Sequence, residues 1–270
     1  MLFLREAYLI AINSFREAVR DKIPYVVLVV AVALAAFSIL LGEWSVFDRE
    51  FVVKSVTISI ISISGLFIAI FAGVGQVQKE IQKKTIHTLL AKPVSRTAFL
   101  VGKYIGLLAL IALHVFLLSL TLFFVLWSVD ASIDAPVLQA CYLVFWELAI
   151  VLAFAVLFST YSSALVSSIF SFGIYMIGHL SDQILKEVYF AYRISEDGSF
   201  LRDNGELLYS IAKGIHYTLP NLFKFNASMQ AAHSVLLEQS YIIWNSFYAL
   251  GYSGVVLCLA ALLFKNKDFV

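Results

Sequence analysis

Charged residues are scarce in this chain of 270 residues. Asp, Glu, Lys and Arg make up 14% of the sequence, whereas they make up about 25% of soluble globular proteins. Hydrophobic residues account for 61%. This balance excludes a soluble globular protein and a nucleic-acid-binding protein, and it predicts an integral membrane protein.

Recognisable catalytic motifs are absent as well. No phosphate-binding loop of the form GxxxxGK[ST] occurs, since Gly102 and Lys103 are followed by Tyr104. The motifs HExxH and GxSxG do not occur either. The two cysteines, Cys141 and Cys258, lie in apolar segments without a His or Cys at ligand spacing, which predicts neither a disulfide nor a metal site. We therefore expect no enzyme activity and no bound cofactor or metal in this chain.

The feature that the chain has in excess is the long apolar run. About 20 mostly apolar residues cross a hydrocarbon layer of about 30 Å. Six stretches are long enough, and they run approximately Pro24–Leu41, Val56–Val77, Ala98–Trp127, Leu138–Tyr161, Ser162–Leu180 and Ile242–Phe264. The fourth and fifth are separated at a turn near residues 159–163, because together they are too long for one tilted span. The predicted fold class is an all-α membrane protein with six transmembrane helices.

The distribution of charge predicts the orientation of these spans. With the N-terminus in the cytoplasm, twelve Lys and Arg residues and five acids lie on the cytoplasmic side, against seven and twelve outside. Cytoplasmic segments carry an excess of Lys and Arg, so both termini are expected in the cytoplasm. Residues 182–241 then form a large extracytoplasmic segment, whose apolar runs Leu207–Ile215 and Leu219–Phe225 predict short helices at the outer interface.

The N-terminal segment, residues 1–22, has the pattern of a helix that lies in the membrane interface. An apolar stripe recurs at helical spacing and consists of Leu4, Tyr8, Ile12, Phe15 and Val19. A signal peptide cleaved at Ala33-Leu34-Ala35 is the alternative interpretation. It is disfavoured because the lead-in is too long and the apolar run continues to Leu41.

The polar loop between the second and third spans, residues 78–97, concentrates positive charge. Five cations lie within it and just after it, namely Lys83, Lys84, Lys92, Arg96 and Lys103. A second set recurs at helical spacing and consists of Ile81, Thr85, Ile86, Leu89 and Leu90. Pro93 ends this run because it supplies no backbone donor. The pattern predicts a short amphipathic helix on the cytoplasmic surface, with Ser95 placed to cap the next helix.

One carboxylic acid falls near the middle of an apolar span. Glu147 lies in the fourth span, where a charged carboxylate is costly. Two interpretations remain open. Either Glu147 is a protonated, hydrogen-bonded tie to a neighbouring helix, with His114 at a similar depth, or it contacts substrate along a pathway.

Small residues form stripes in the second and fifth spans. The stripes include Ser59 and Ser62 in the second span, and Ser167 and Ser171 in the fifth. They allow close approach of helix backbones. Two interpretations are open. The stripes serve helix packing alone, or the two helices face each other or a second copy of the chain and line a transport path. A GxxxG motif at residues 102–106 is a weak dimerisation signal.

Three features together resemble the membrane subunit of ABC-2 type ATP-binding cassette transporters. They are the lead-in FREAVRDKI at Phe15–Ile23, the run KEIQKKTIHTLLAKPVSRTAFLVGKY at Lys79–Tyr104, and the six-span layout. The resemblance implies a single ABC-2 transmembrane domain over residues 1–270, whose loop carries a coupling helix that docks on a separate ATPase subunit. The positions that match the family's loop are Glu80, Thr85, Leu89, Leu90, Pro93, Arg96 and Lys103. Lys83 and Lys84 are expected to steer that encounter.

The resemblance also implies an exporter in which ATP and Mg bind to the partner subunit and not to this chain. The expected assembly is a homodimer of this chain in the inner membrane of a prokaryote, with lipids around it and the path between the two copies. A membrane scaffold or mechanotransmitter driven through the same loop is the alternative. A secondary transporter is less favoured, because the sequence shows no inverted repeat or pair of broken helices.

Overall fold

A computed structural model describes residues 2–45, 48–82, 95–194 and 201–265 of the protein. These residues are almost entirely helical, and they include no β-strand. The chain divides into two compact units: Met1–Ser171 with Phe225–Val270, and Phe172–Lys224. The all-α class predicted from the sequence is confirmed.

Nine α-helices and one short 3-10 helix lie within the described ranges. They are α1 (Leu2–Arg20), α2 (Lys22–Trp44), α3 (Arg49–Gln82), α4 (Arg96–Ser128), α5 (Ala135–Tyr161), α6 (Ala164–Ile194), α7 (Leu201–Thr218), the 3-10 helix (Leu222–Phe225), α8 (Ser228–Ala232) and α9 (Gln239–Lys265). Six of them, α2 to α6 and α9, are long and apolar enough to cross a membrane. The six predicted spans are therefore confirmed.

The predicted turn between the fourth and fifth spans is present. Helix α5 ends at Tyr161, Ser162 has an extended backbone, and α6 begins at Ala164. Helix α6 then continues to Ile194, well past the predicted end of the span. Polar residues there still favour a helix, because Lys186 pairs with the carboxylate four residues earlier, Asp182, at 2.6 Å.

The core of the first unit is built around α5, which lies against α3, α4 and α9. Of the candidate spans it is the most enclosed, with 78% of the residues in its most apolar stretch buried. Helix α3 approaches it closely at two glycines. A Cβ on Gly65 would collide with the Leu148 side chain, and one on Gly73 would lie 3.0 Å from the Ala155 Cβ. This part of the small-residue stripe serves helix packing inside the chain.

The second unit comprises the C-terminal part of α6, helix α7 and the start of the 3-10 helix. The rings of Tyr189 on α6 and Tyr209 on α7 are 5.7 Å apart. A Cβ on Gly178 would lie 2.7 Å from Leu222, so only glycine allows this approach. The apolar runs Leu207–Ile215 and Leu219–Phe225 fall largely in α7 and the 3-10 helix, and their place at the outer interface stays a prediction.

Candidate functional site

The predicted ATPase-docking loop lies largely outside the described residues. Six of its predicted contact residues fall there: Lys83, Lys84, Thr85, Leu89, Leu90 and Pro93. The other two, Glu80 and Arg96, belong to the end of α3 and the start of α4. The structure therefore shows the two helix ends that flank the loop. We call the end of α3 and the start of α4 the loop stems.

The second stem begins with the predicted helix cap. Ser95 has an extended backbone, and its hydroxyl accepts a hydrogen bond from the Ala98 amide at 3.2 Å. An N-cap side chain satisfies one of the backbone donors that a helix start leaves free. The predicted cap is confirmed, and it fixes the point at which the loop enters α4.

Arg96 holds the end of the last helix. Its Nη1 donates a hydrogen bond to the Phe264 carbonyl at 3.1 Å, and the Phe264 ring stacks 6.1 Å from that of Phe99. A helix leaves its last carbonyls without intrahelical partners, so a cation there is favourable. The family resemblance implies that Arg96 contacts the ATPase, and in the structure its hydrogen bond joins α9 to the loop stem.

A buried lysine connects both stems to the N-terminal helix. The Lys103 side chain is 1% exposed, and its Nζ lies 2.5 Å from Glu80 Oε1 on α3 and 3.5 Å from Glu17 Oε2 on α1. A buried charge of this kind is costly unless it is paired. The cluster therefore holds α1, α3 and α4 together near the two stems.

Helix α1 packs directly on the GxxxG motif of α4. A Cβ on Gly102 would lie 2.7 Å from the Ala7 carbonyl oxygen, and one on Gly106 would collide with the Ala11 carbonyl. Gln76 on α3 donates to the Ser14 carbonyl at 3.1 Å. The GxxxG motif thus provides a contact within the chain.

The face of α1 that packs on α4 differs from its predicted apolar stripe. The buried residues are small ones, namely Ala7, Ala11, Ser14 and Ala18. Two members of the predicted stripe, Leu4 and Tyr8, are 72% and 65% exposed. Leu4 and Tyr8 therefore remain outside the packed interface with α4, whereas Ile10 lies against Gly102.

Glu147 has a polar partner on a neighbouring helix. Its side chain is 1% exposed, and Ser62 on α3 donates a hydrogen bond to Glu147 Oε1 at 3.2 Å. His114 lies in a separate contact, with its Nε2 3.0 Å from the Ser64 hydroxyl. Two polar contacts thus join α3 to α4 and α5 within the apolar interior.

The other predicted pathway serines lie in different environments. Ser59 is exposed and its hydroxyl donates to the Ser55 carbonyl at 2.8 Å. Ser167 and Ser171 are fully buried, and the Ser171 hydroxyl donates to the Ser167 carbonyl at 2.7 Å. A pathway role for these serines stays a prediction.

An exposed stripe runs along α3. It recurs every fourth residue and consists of Ser59, Ile63, Phe67 and Phe71. The rings of Phe67 and Phe71 stack 6.1 Å apart. Helix α3 lies against α2, α4 and α5. One face of α3 nevertheless remains uncovered by any described residue of the chain.

A second buried lysine lies at the opposite end of α3 and was not singled out by the sequence reasoning. Lys54 is 0% exposed, and its Nζ lies 2.5 Å from Glu50 Oε1 and 3.1 Å from Asp134 Oδ2. It also donates to the hydroxyls of Ser132 and Ser234 at 3.2 and 3.1 Å. The network ties α3 to the segments that precede α5 and α9.

This network keeps the Asp134 carboxylate ionised. Hydrogen bonds lower the pKa of Asp134 to about 2, and the bond from Ser132 has the largest effect, followed by those from Ser234 and Lys54. The network borders an open cavity of about 1070 Å³. The local sequence signal was the spacing of Glu50 and Lys54, four residues apart on one helix. The distant partners gave no such signal.

A sequence model of a protein family, described as ABC-2 family transporter protein, matches residues 8–269. The match includes both loop stems, the two buried lysines and all six candidate spans. No curated protein matches the chain.

Proposed function

Since the chain belongs to the ABC-2 transporter family and is thus the membrane subunit of an ABC transporter, we propose that it exports a substrate with energy from a separate ATPase subunit. The two loop stems are the observation that carries this proposal. Lys103 joins the two stems to each other and to α1, and Arg96 joins the second stem to α9. A force applied to the loop would therefore reach α1, α3, α4 and α9 together.

The proposed coupling starts at the loop of residues 83–94. Leu89 or Leu90 would enter a groove of the ATPase subunit, and Lys83 and Lys84 would attract its acidic surface. The ATPase subunit would bind ATP and Mg and hydrolyse the nucleotide, while this chain would bind neither. Motion of the loop would then shift α3 and α4 together, because the ion pair between Lys103 and Glu80 joins the two stems.

The transport path is proposed to lie between two copies of this chain. The exposed α3 stripe supports this arrangement, because it places Ser59 and two stacked phenylalanines on a face that no described residue covers. Ser62, which donates to Glu147 on α5, lies on the same helix as this stripe. Ser167 and Ser171 would support the path by close packing of α6.

We place both termini, α1 and the loop in the cytoplasm, and the Lys54 network on the outer side. The excess of Lys and Arg on the loop side supports this orientation. The chain is a multi-pass membrane protein, and the inner membrane of a prokaryote is the proposed location.

Transport can be tested in inverted membrane vesicles that contain this chain with its ATPase. The expected result is ATP-dependent uptake of a substrate, which stops when ATP is replaced by a non-hydrolysable analogue. ATP hydrolysis without any flux would instead identify a force-transmitting scaffold. Flux that follows an imposed ion gradient without ATP would contradict the proposal and identify a secondary transporter.

A further inference from the structure

We infer that the face of α1 opposite its contact with α4 is a binding surface for anionic phospholipid headgroups. In the sequence the charges of this region are nearly balanced, with three acids and four cations between Arg5 and Lys22. The fold separates them by sign. The acids bond to other parts of the chain, and the cations form no such bond within the described residues.

Each of the three acids has a partner inside the chain. Glu6 Oε2 accepts a hydrogen bond from the Ser95 amide at 3.4 Å. Glu17 pairs with Lys103 at 3.5 Å. Asp21 pairs with the Lys79 ammonium at 2.8 Å, and this hydrogen bond lowers the pKa of Asp21.

The four cations are exposed, and they are Arg5, Arg16, Arg20 and Lys22. Their side chains form no hydrogen bond or ion pair within the described part of the chain. The charges of this region that are unpaired within the described residues are therefore all positive, although the segment as a whole is close to neutral.

Large apolar side chains lie beside these cations on the same helix. Leu4, Tyr8 and Leu9 are all more than half exposed. An apolar arc next to a cationic arc is the pattern of a helix that binds an anionic membrane surface. Two glycines of α4 fix the orientation of this helix, so the surface is formed before any lipid binds.

The position of α1 in the chain favours lipid over a soluble acidic protein. Helix α1 ends at Arg20, and the candidate span α2 starts at Lys22. The cations at this junction therefore lie where the first span leaves the hydrocarbon layer. Headgroups occupy that depth, and each Lys or Arg near an anionic surface gains on the order of a fivefold increase in affinity.

The test uses the full chain, purified in neutral detergent together with any ATPase that copurifies. Native mass spectrometry would measure the binding of phosphatidylglycerol and phosphatidylcholine. The variant combines Arg5→Gln, Arg16→Gln and Arg20→Gln. The control removes the same charge from three exposed lysines of the second unit, with Lys186→Gln, Lys213→Gln and Lys224→Gln.

Wild type is expected to prefer phosphatidylglycerol, and the preference should weaken as salt is added. The arginine variant should lose affinity for phosphatidylglycerol at least about tenfold, with no change for phosphatidylcholine, while the control keeps the preference. A wild type without lipid preference would overturn the inference, whether or not the variant folds. Loss of the ATPase from the arginine variant with lipid preference intact would overturn it too, and would assign the surface to the protein partner.

Discussion

At the scale of single residues, Glu147 shows how a costly group is accommodated in the apolar interior. Its carboxyl is enclosed, and Ser62 donates to it from a neighbouring helix. Glu147→Gln keeps an acceptor oxygen at the same place, so folding and transport should remain close to wild type. Glu147→Leu removes the acceptor and should lower the stability by on the order of 1 kcal/mol. Thermal unfolding in detergent measures the difference.

The Gln variant also decides between the two roles of Glu147. If Glu147→Gln assembles normally but does not transport, the carboxylate takes part in translocation, and the structural role is wrong. Expression level and ATPase copurification provide the control for normal assembly.

Asp134 predicts how the Lys54 network depends on pH. Its pKa is lowered from 3.8 to about 2 in the folded chain, first of all by the hydrogen bond from Ser132. A lowered pKa means that the group stabilises the fold above its unfolded value, and that this contribution is lost as pH falls toward the folded value. The stability advantage of wild type over Asp134→Asn should therefore be constant above about pH 5 and shrink between about pH 4 and pH 2.

Thermal unfolding of both proteins across this pH range measures that advantage. A stability advantage of wild type over Asp134→Asn that stays constant down to about pH 2 would contradict the role given to Asp134. The carboxylate would then make no contribution to stability that depends on its charge.

The sequence could predict some of these residues and not others. Ser95 was predictable, since a helix cap is a local signal. The need of Glu147 for a polar partner was also predictable from its depth, but the identity of Ser62 was not. The partners of Lys54 were out of reach, because Ser132, Asp134 and Ser234 come from segments far along the chain.

At the scale of elements, the contact between α1 and α4 depends on Gly106. A side chain there would collide with the Ala11 carbonyl, whereas a Cβ on Gly75 would meet nothing within 4 Å. Gly106→Leu should therefore displace α1 and cost about 2 kcal/mol. Gly75→Leu is the matched control and should leave stability almost unchanged.

Hydrogen exchange of the α1 amides, together with the melting temperature, would measure this effect. Equal protection of α1 in both variants would show that α1 does not depend on the glycine contact. A loss of protection in α1 alone, with α5 unaffected, is the expected pattern.

The existence of the helices was predictable because apolar length is a strong signal. Their partners were harder to predict. The motif at residues 102–106 indicates a close helix contact, but only the fold shows that the contact is with α1. The extent of α6 beyond the predicted span was missed, because hydropathy marks the membrane-crossing part and not the end of the helix.

At the scale of the whole molecule, the exposed α3 stripe predicts where two copies meet. In a chain without Cys141 and Cys258, a single cysteine at Ser59 should form a crosslink between copies in the membrane. Thr121 is the matched control, since it is a partly exposed residue on α4 whose hydroxyl also donates to the carbonyl four residues earlier, at 3.1 Å. A Ser59→Cys protein that crosslinks no better than Thr121→Cys would contradict a dimer interface at α3.

The central claim is that a separate ATPase drives this chain through the loop between α3 and α4. The most direct measurement is copurification of the tagged chain from its native membranes, with assay of ATP hydrolysis. The chain should bring down an ABC ATPase in stoichiometric amount. Leu89→Asp should lose it while still inserting in the membrane, because burying one leucine contributes about 2 kcal/mol and a buried charge reverses that gain.

The matched control is Leu236→Asp, which places the same charge on an exposed leucine near Ser234 and the Lys54 network. The account predicts that this variant retains the ATPase and its activity. Equal recovery of the ATPase with Leu89→Asp, or no ATPase with wild type, would contradict it.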